Sequence, residues 1–158
     1  GYVCTKFSNM ALSVGDAAPD FTTTDQHGNP LTLSDYRGRS VVLYFYPKDD
    51  TPGCTAQACS LRDNYTELKK AGYEVLGVSI DPQKAHQKFI TKYDLPFSLV
   101  ADTDKSVVEA YGVWQEKSMY GRTYMGTARR TFVIDENGFI TDIIEKVDTK
   151  NHATQILK

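Results

Sequence analysis

"SVVLYFYPKDDTPGCTAQAC", residues 40–59, joins two structural signals end to end. Residues 40–47 form a continuous apolar run rich in β-branched and aromatic side chains, the pattern of a strand buried on both faces. Pro47 ends that run. From Thr55 to Ala71 the period changes: Ala58, Leu61, Tyr65 and Leu68 recur at steps of three and four between charged residues. That spacing predicts an amphipathic helix over 55–71, ended by Gly72. A cysteine, Cys54, sits at the junction, and a second, Cys59, follows five residues later.

The same alternation continues outward. "YEVLGVSI" (73–80) reads as a second buried strand, and Pro82 to Tyr93 as a helix with proline at its first turn. "FSLVAD" gives a third strand and "KSVVEAYG" a short helix ended by Gly112. "RTFVIDENGFITDIIEKV" (130–147) holds two strands around an Asn-Gly turn. The tail from Thr149 has the spacing of a final helix. Upstream, "HGNP" divides residues 15–40 into a hairpin, and "SDYR" (34–37) reads as one helical turn capped by Ser34 and stopped by Gly38. This order predicts an α/β fold: a mainly parallel central sheet, helices on both faces, and antiparallel strands added by the closing hairpin. Residues 113–129, "VWQEKSMYGRTYMGTAR", show no clear pattern; a loop of that length is expected to be functional.

A chain of 158 residues with 41% hydrophobic residues suits one well-packed domain. Net charge of −2 with scattered Lys and Arg argues against nucleic-acid binding. No apolar run approaches the roughly 20 residues that span a bilayer, so no membrane association is expected. The first ten residues lack a secretory pattern, and Met10 followed by "ALSVGDAAPDF" reads as a natural start. Residues 1–9 are therefore expected to be a cloning remnant or disordered leader, and residues 10–158 a single domain. Three cysteines do not make a disulfide framework, and functional thiols in a reducing, cytoplasmic setting fit better.

Cys54 is expected in the first turn of its helix, where unpaired backbone N–H groups and the helix dipole favour a thiolate. A thiolate is both a metal ligand and a nucleophile. Thr51, three residues earlier, serves either as a turn or cap residue or as a hydroxyl donor to the thiolate or a bound oxygen. Pro47 terminates the strand and would also shield the thiolate from water. On an intact helix an i,i+5 pair has Cα atoms about 8.6 Å apart, facing some 140° away from each other. A disulfide needs Cα atoms within about 7 Å. A bridge between Cys54 and Cys59 would therefore require the first turns to unwind. A zinc site is disfavoured: His27, His86 and His152 are isolated and read as surface residues, and Cys4 reads as a bystander thiol.

The run "YPKDDTPGCTAQAC" resembles the active-site segment of the peroxiredoxins, Pro-x-x-x-Thr-x-x-Cys, supplied by Pro47, Thr51 and Cys54. The second cysteine five positions on, together with "GDAAPDF", "YMGTARRTFVIDENG" and "TKNHATQIL", is similar to the bacterioferritin comigratory protein, or PrxQ, subfamily. The resemblance covers residues 10–158. It implies a thioredoxin-like fold with an N-terminal β-hairpin extension and a mixed central sheet flanked by helices. It also implies a cysteine peroxidase that reduces hydrogen peroxide and organic hydroperoxides in antioxidant defence. Cys54 takes the peroxidatic role and Cys59 the resolving role, forming an intramolecular disulfide that thioredoxin or a similar dithiol reduces. Thr51 and Pro47 complete the pocket, and "GTARRTF" aligns the family's distant arginine with Arg129. Arg130 is adjacent, but on a strand the two side chains face opposite ways. No cofactor or metal is implied, and the expected assembly is a monomer or weak homodimer.

Around this centre, Tyr44 and Phe45 are expected in the core with one of them facing the site, and Asp49 and Asp50 are expected to cap the turn. Trp114, Met119, Tyr120 and Tyr124 are expected mainly to pack, the alternative being that they shape the pocket rim or a partner surface. Two other functions compete: a thiol–disulfide oxidoreductase, disfavoured by the absence of C-x-x-C, and a redox-sensing or chaperone protein without peroxidase chemistry.

Overall fold

The central strand of the sheet is the apolar run that opened the sequence. In the computed structural model, which describes residues 11–158, β3 (Ser40–Phe45) is buried from Val41 onward. It follows β1 (Thr22–Thr24) and β2 (Pro30–Thr32), the antiparallel N-terminal hairpin, and a 3-10 turn at Leu33–Tyr36. That turn starts at Leu33 with Thr32 as its cap, two residues before the expected cap Ser34. Residues 1–10, with Cys4 and the expected leader, lie outside the described residues.

After β3 come α1 (Pro52–Asp63), α2 (Tyr65–Lys70), β4 (Tyr73–Ser79), α3 (Gln83–Tyr93), β5 (Ser98–Ala101) and α4 (Ser106–Ala110). The chain closes with β6 (Trp114–Met119), β7 (Arg122–Thr127), β8 (Arg130–Ile134), β9 (Ile140–Ile144) and α5 (His152–Leu157). The main sheet has the order β5-β4-β3-β8-β9. β3, β4 and β5 run parallel; β8 and β9 are antiparallel to their neighbours. The mixed sheet and the order of elements match the expected thioredoxin-like arrangement.

Alternate residues of β3 feed two cores. Val41, Leu43 and Phe45 join Val107, Val108 and Tyr111 of the α4 region. Val42, Tyr44 and Tyr46 join Cys54, Ala58 and Leu61 of α1, Leu68 of α2, Phe89 of α3 and Ile156 of α5. Each fully buried side chain of this size contributes about 1.5–3 kcal/mol of transfer free energy. Helices thus cover both faces, and Cys54 belongs to the core of the more heavily covered one.

Three expectations need correction. The predicted helix over 55–71 starts earlier, at Pro52, and is broken at Asn64, whose side-chain amide donates to the Ser60 carbonyl at 2.9 Å. Residues 113–129 are not a loop but mainly the β6–β7 hairpin, turned by Tyr120 and Gly121 with φ of 54° and 76°. Both central residues have positive φ, as a two-residue hairpin turn requires, yet the first is a tyrosine rather than the usual Asn or Gly. On this hairpin Trp114 packs against the core, whereas Met119, Tyr120 and Tyr124 are exposed and do not pack as expected.

Candidate active site

The site grows from the end of β3. Pro47 is half-buried and directly follows Tyr46, and residues 48–51 turn the chain into α1. Thr51 is the N-cap of α1, with extended backbone. Pro52, Gly53 and Cys54 then form the first turn, so the Gly53 and Cys54 amides have no intrahelical acceptor. An N-cap threonine ordinarily accepts one of these amides with its hydroxyl. Thr51 does not; its hydroxyl donates to the Lys48 carbonyl at 2.9 Å. The expected donation from Thr51 toward the thiolate is therefore corrected: its only hydrogen is engaged, and it offers lone pairs instead.

Cys54 is buried and Cys59 half-buried, both as free thiols on the continuous helix α1. Arg129 stands between β7 and β8, with Nη1 donating to Oε1 of Gln57 at 2.8 Å. Its Nη2 would lie 3.1 Å from a Cβ at Gly53, so a residue without a side chain there lets the guanidinium lie against the first turn. Arg130 begins β8 opposite Phe45. It lines a separate cavity with Leu12, Tyr111 and Phe132 on the other face of the sheet. The structure brings Pro47, Thr51, Cys54 and Arg129 to one end of α1, with Cys59 more than a turn along it.

Several residues here escaped the sequence reading. Gln57, fully buried, carries the arginine; it lies one turn beyond Gly53 on the same helix face. Tyr44 does face the site, as expected of one of the strand aromatics, while Phe45 points into the opposite core. The Tyr44 ring stacks on Tyr46 at 5.3 Å and occupies space that a Cβ at Gly77 would fill, 2.9 Å from its Cε1. Burial, then the charges of Asp49 and Cys54, push its phenol well above the ordinary range. Lys117, from the hairpin that the sequence left unread, lies within electrostatic reach: burial and Arg129 lower its ammonium pKa, and Cys54 opposes them.

The histidine expectations also change. His27 is exposed, but His86 and His152 are fully buried. His86 Nδ1 is 2.6 Å from Asp49 Oδ2 and its Nε2 is 2.9 Å from the Val100 carbonyl. His152 bridges Thr131 Oγ1 and Gln155 Oε1, each at 2.8 Å. Asp49, expected as a turn cap, is buried against His86; Asp50 has φ of 58° and pairs with Lys92 Nζ at 2.9 Å. Among the described residues no group of three His, Cys, Asp or Glu side chains is placed to hold a metal ion, and no helix is long and apolar enough to cross a membrane.

A buried cysteine at a helix start, flanked by free amides and a fixed guanidinium, is suited to stabilising a thiolate and a negative charge developing beside it. Comparison with known proteins is consistent with that chemistry. The sequence profile of the AhpC/TSA family matches residues 14–143. The chain is 48% identical to Peroxiredoxin Bcp of Escherichia coli strain K12 over 146 residues, covering 92% of this chain and 94% of that protein. It is 42% identical to Peroxiredoxin Bcp of Bacillus subtilis strain 168 over 149 residues, covering 94% and 95%. Among solved structures, the bacterioferritin comigratory protein of Xanthomonas campestris superposes with a TM-score of 0.85 at 35% identity, covering 94% of this chain and 95% of that one. A cysteine-to-serine variant of PrxQ from Xylella fastidiosa gives a TM-score of 0.87 at 32% identity, covering 94% of each.

Proposed function

From the premise that the chain belongs to the AhpC/TSA family, among the Bcp/PrxQ peroxiredoxins, and is a thiol-dependent peroxidase, we propose that Cys54 is its peroxidatic residue and Cys59 its resolver. The observation that carries this reading is the place of Cys54: third residue of α1, beside two uncapped amides, with Arg129 lying on Gly53. In the proposed first step the Cys54 thiolate attacks the terminal oxygen of a hydroperoxide in line with the O–O bond. A sulfur–oxygen bond forms, the O–O bond breaks, and its electron pair leaves with the second oxygen. That oxygen takes up a proton and departs as water or an alcohol, leaving Cys54 as a sulfenic acid.

Each neighbour has a distinct role in this reading. Arg129 and the Gly53 and Cys54 amides face negative charge, first on the sulfur and then on the departing oxygen. Gln57 holds Arg129 in that position. Thr51, with its hydrogen on Lys48, accepts the hydrogen bond of the peroxide O–H. Pro47 walls the site from water. Hydrogen peroxide and organic hydroperoxides are the proposed substrates, and the alkyl peroxide reduction activity named for the Xanthomonas campestris relative supports the second class.

In the second step the Cys59 sulfur attacks the Cys54 sulfenic sulfur and expels water, closing a disulfide. On a regular helix such as α1 an i,i+5 pair has Cα atoms about 8.6 Å apart, so the first turns must open before the bridge can close. An external dithiol, with thioredoxin as the proposed physiological one, returns both thiols by exchange. Intact-mass analysis after one equivalent of hydrogen peroxide tests the scheme. The expected product is two hydrogens lighter than the reduced chain, with a 54–59 linkage; a chain left at its reduced mass sinks the reading.

A further inference from the structure

The peptide joining Lys48 to Asp49 is held at both ends. Its carbonyl accepts the Thr51 hydroxyl at 2.9 Å, and its N–H donates to Asp81 Oδ2 at 2.8 Å. A peptide unit is planar, so the direction of its N–H fixes the direction of its carbonyl. Asp81 thereby sets where the Thr51 hydroxyl can place its hydrogen. Asp81 is itself held: Ser79 Oγ donates to the same Oδ2 at 2.8 Å and accepts the Asp81 amide at 3.1 Å. Ser79 is fully buried at the end of β4.

The side chain of Asp49 braces the same peptide from the interior. Tyr46 donates its hydroxyl to Oδ1 at 2.6 Å, and His86 Nδ1 meets Oδ2 at 2.6 Å. His86 is anchored in turn on the Val100 carbonyl at 2.9 Å; a carbonyl only accepts, so Nε2 carries a hydrogen there. The exposed side is tied as well, since Asp50 accepts from Lys92 at 2.9 Å and from the Tyr93 hydroxyl at 3.0 Å. None of these groups reaches the peroxide in the proposed mechanism. Asp81 and the Asp49 brace converge on one peptide, Asp50 ties the residue that follows it, and that peptide meets the active site through Thr51.

We propose that Asp81 is a positioning residue for the peroxide step, acting through the Lys48–Asp49 peptide on the Thr51 hydroxyl, with the Asp49–His86 pair as its brace. The consequence is chemical. A threonine at the N-cap has a competing use for its oxygen, which is to cap the first-turn amides. Committing its hydrogen to Lys48 holds the rotor in the orientation that leaves the Gly53 and Cys54 amides uncapped and the lone pairs free for a peroxide O–H. Without Asp81 the peptide can turn, the rotor is released, and Thr51 can spend its oxygen on the helix instead.

The inference rests on the proposed role of Thr51, and a double-mutant cycle separates the two. The readout is the second-order rate of Cys54 oxidation by hydrogen peroxide in the pre-reduced full chain, followed by quenched intact mass. In the parent, Asp81→Ala is expected to slow oxidation about tenfold, the middle of the coupling range for residues in one network. Asp81→Asn, whose amide oxygen accepts the same two hydrogens, is expected to restore the rate to within about twofold of the parent. In a Thr51→Val background, Asp81→Ala is expected to add less than about twofold, because no hydroxyl remains to orient. A full tenfold loss in both backgrounds assigns Asp81 a general structural role and overturns the inference, as does an unaffected rate in the single variant. Thr51→Val oxidised at the parental rate would instead remove the reading of Thr51 itself. Should Asp81→Ala fail to fold, Ser79→Ala takes its place: a smaller loss that vanishes in the Thr51→Val background supports the inference, and any other pattern overturns it.

Discussion

The two flanks of Cys54 are held by different kinds of force. On the N-terminal side, residues 46–51 are tied to Asp81, just past β4, and to α3 by polar contacts of Asp49 and Asp50 with Asp81, His86, Lys92 and Tyr93, and Tyr46 donates its hydroxyl to Asp49 within the segment. On the C-terminal side, residues 54–61 are held by the backbone bonds of α1 and by apolar contacts of Ala58 and Leu61. Their side-chain bonds to distant elements are Gln57 to Arg129 and Ser60 to the Ala153 amide at 3.2 Å. A satisfied buried polar network defines one geometry and resists small displacements. A short helix can open locally and re-form, since its bonds lie within the segment that moves. The difference teaches how one cysteine can serve both steps of the proposed scheme: there the peroxide is met against the fixed flank, and the resolver arrives from the flank that opens.

Cys54→Ser breaks this comparison most completely. It removes the proposed nucleophile, so peroxide consumption in a coupled dithiol assay should fall to the level without enzyme. Retained turnover in this variant would displace the reaction from Cys54. Next in size is Arg129→Gln, which keeps a polar side chain but shortens it and takes away the charge. Loss of one preorganised group facing developing negative charge costs on the order of 10²–10³ in rate. The expected loss is in the Cys54 oxidation rate, while Cys59 still closes the disulfide at its parental rate once the sulfenic acid exists. An equal slowing of both steps would show that Arg129 serves the opening flank as well.

Cys59→Ser sharpens the comparison. This variant should consume one equivalent of peroxide, stop at the sulfenic acid, and keep α1 folded. In the oxidised parent, hydrogen exchange at residues 55–61 should accelerate by at least about tenfold, whereas residues 46–50 and 79–81 should keep their protection. Equal loss on both sides would contradict a fixed and an opening flank.

What the sequence revealed of this arrangement follows the range of the forces involved. The strands β3, β4 and β5 were legible because burial on both faces leaves an unbroken apolar run such as Val41 to Phe45. Cys54 at a helix start was legible because Pro47, the Pro-Gly pair and the change of period are all local. The brace was not: Asp49 and His86 are 37 residues apart, His152 and Thr131 are 21 apart, and a histidine with a distant partner looks like any solvated one. Gln57 was passed over as a polar residue on a helix, although its place one turn after Gly53 puts it on the face that Arg129 covers. The β6–β7 hairpin hid for another reason. Much of its surface is exposed, so burial imposes little apolar alternation, and Tyr120 occupies a turn position where the usual signal is Asn or Gly.

The smallest expected effect concerns acid, and it too separates the flanks. His152 opens α5, bonds Thr131 of β8, and is followed by Ala153, whose amide holds Ser60 on α1. Burial, with Arg129 adding to it and the Gln155 bond opposing, holds its imidazole below the ordinary value of 6.5. A folded-state pKa below the unfolded one means that acid favours the unfolded chain. Stability from a neutral His152 is therefore complete above the ordinary value and is lost as pH falls below it, until the folded imidazole also takes up a proton. His152→Asn cannot titrate, so its urea midpoint should fall less between pH 7.5 and pH 5.5 than that of the parent, all other groups being shared. Parallel curves for the two proteins would exclude His152 as the acid-sensitive tie. Where the curves diverge, exchange at residues 55–61 should quicken with acid in the parent more than in the variant, while residues 79–81 respond alike in both, because α5 packs on the flank of Cys54 that opens.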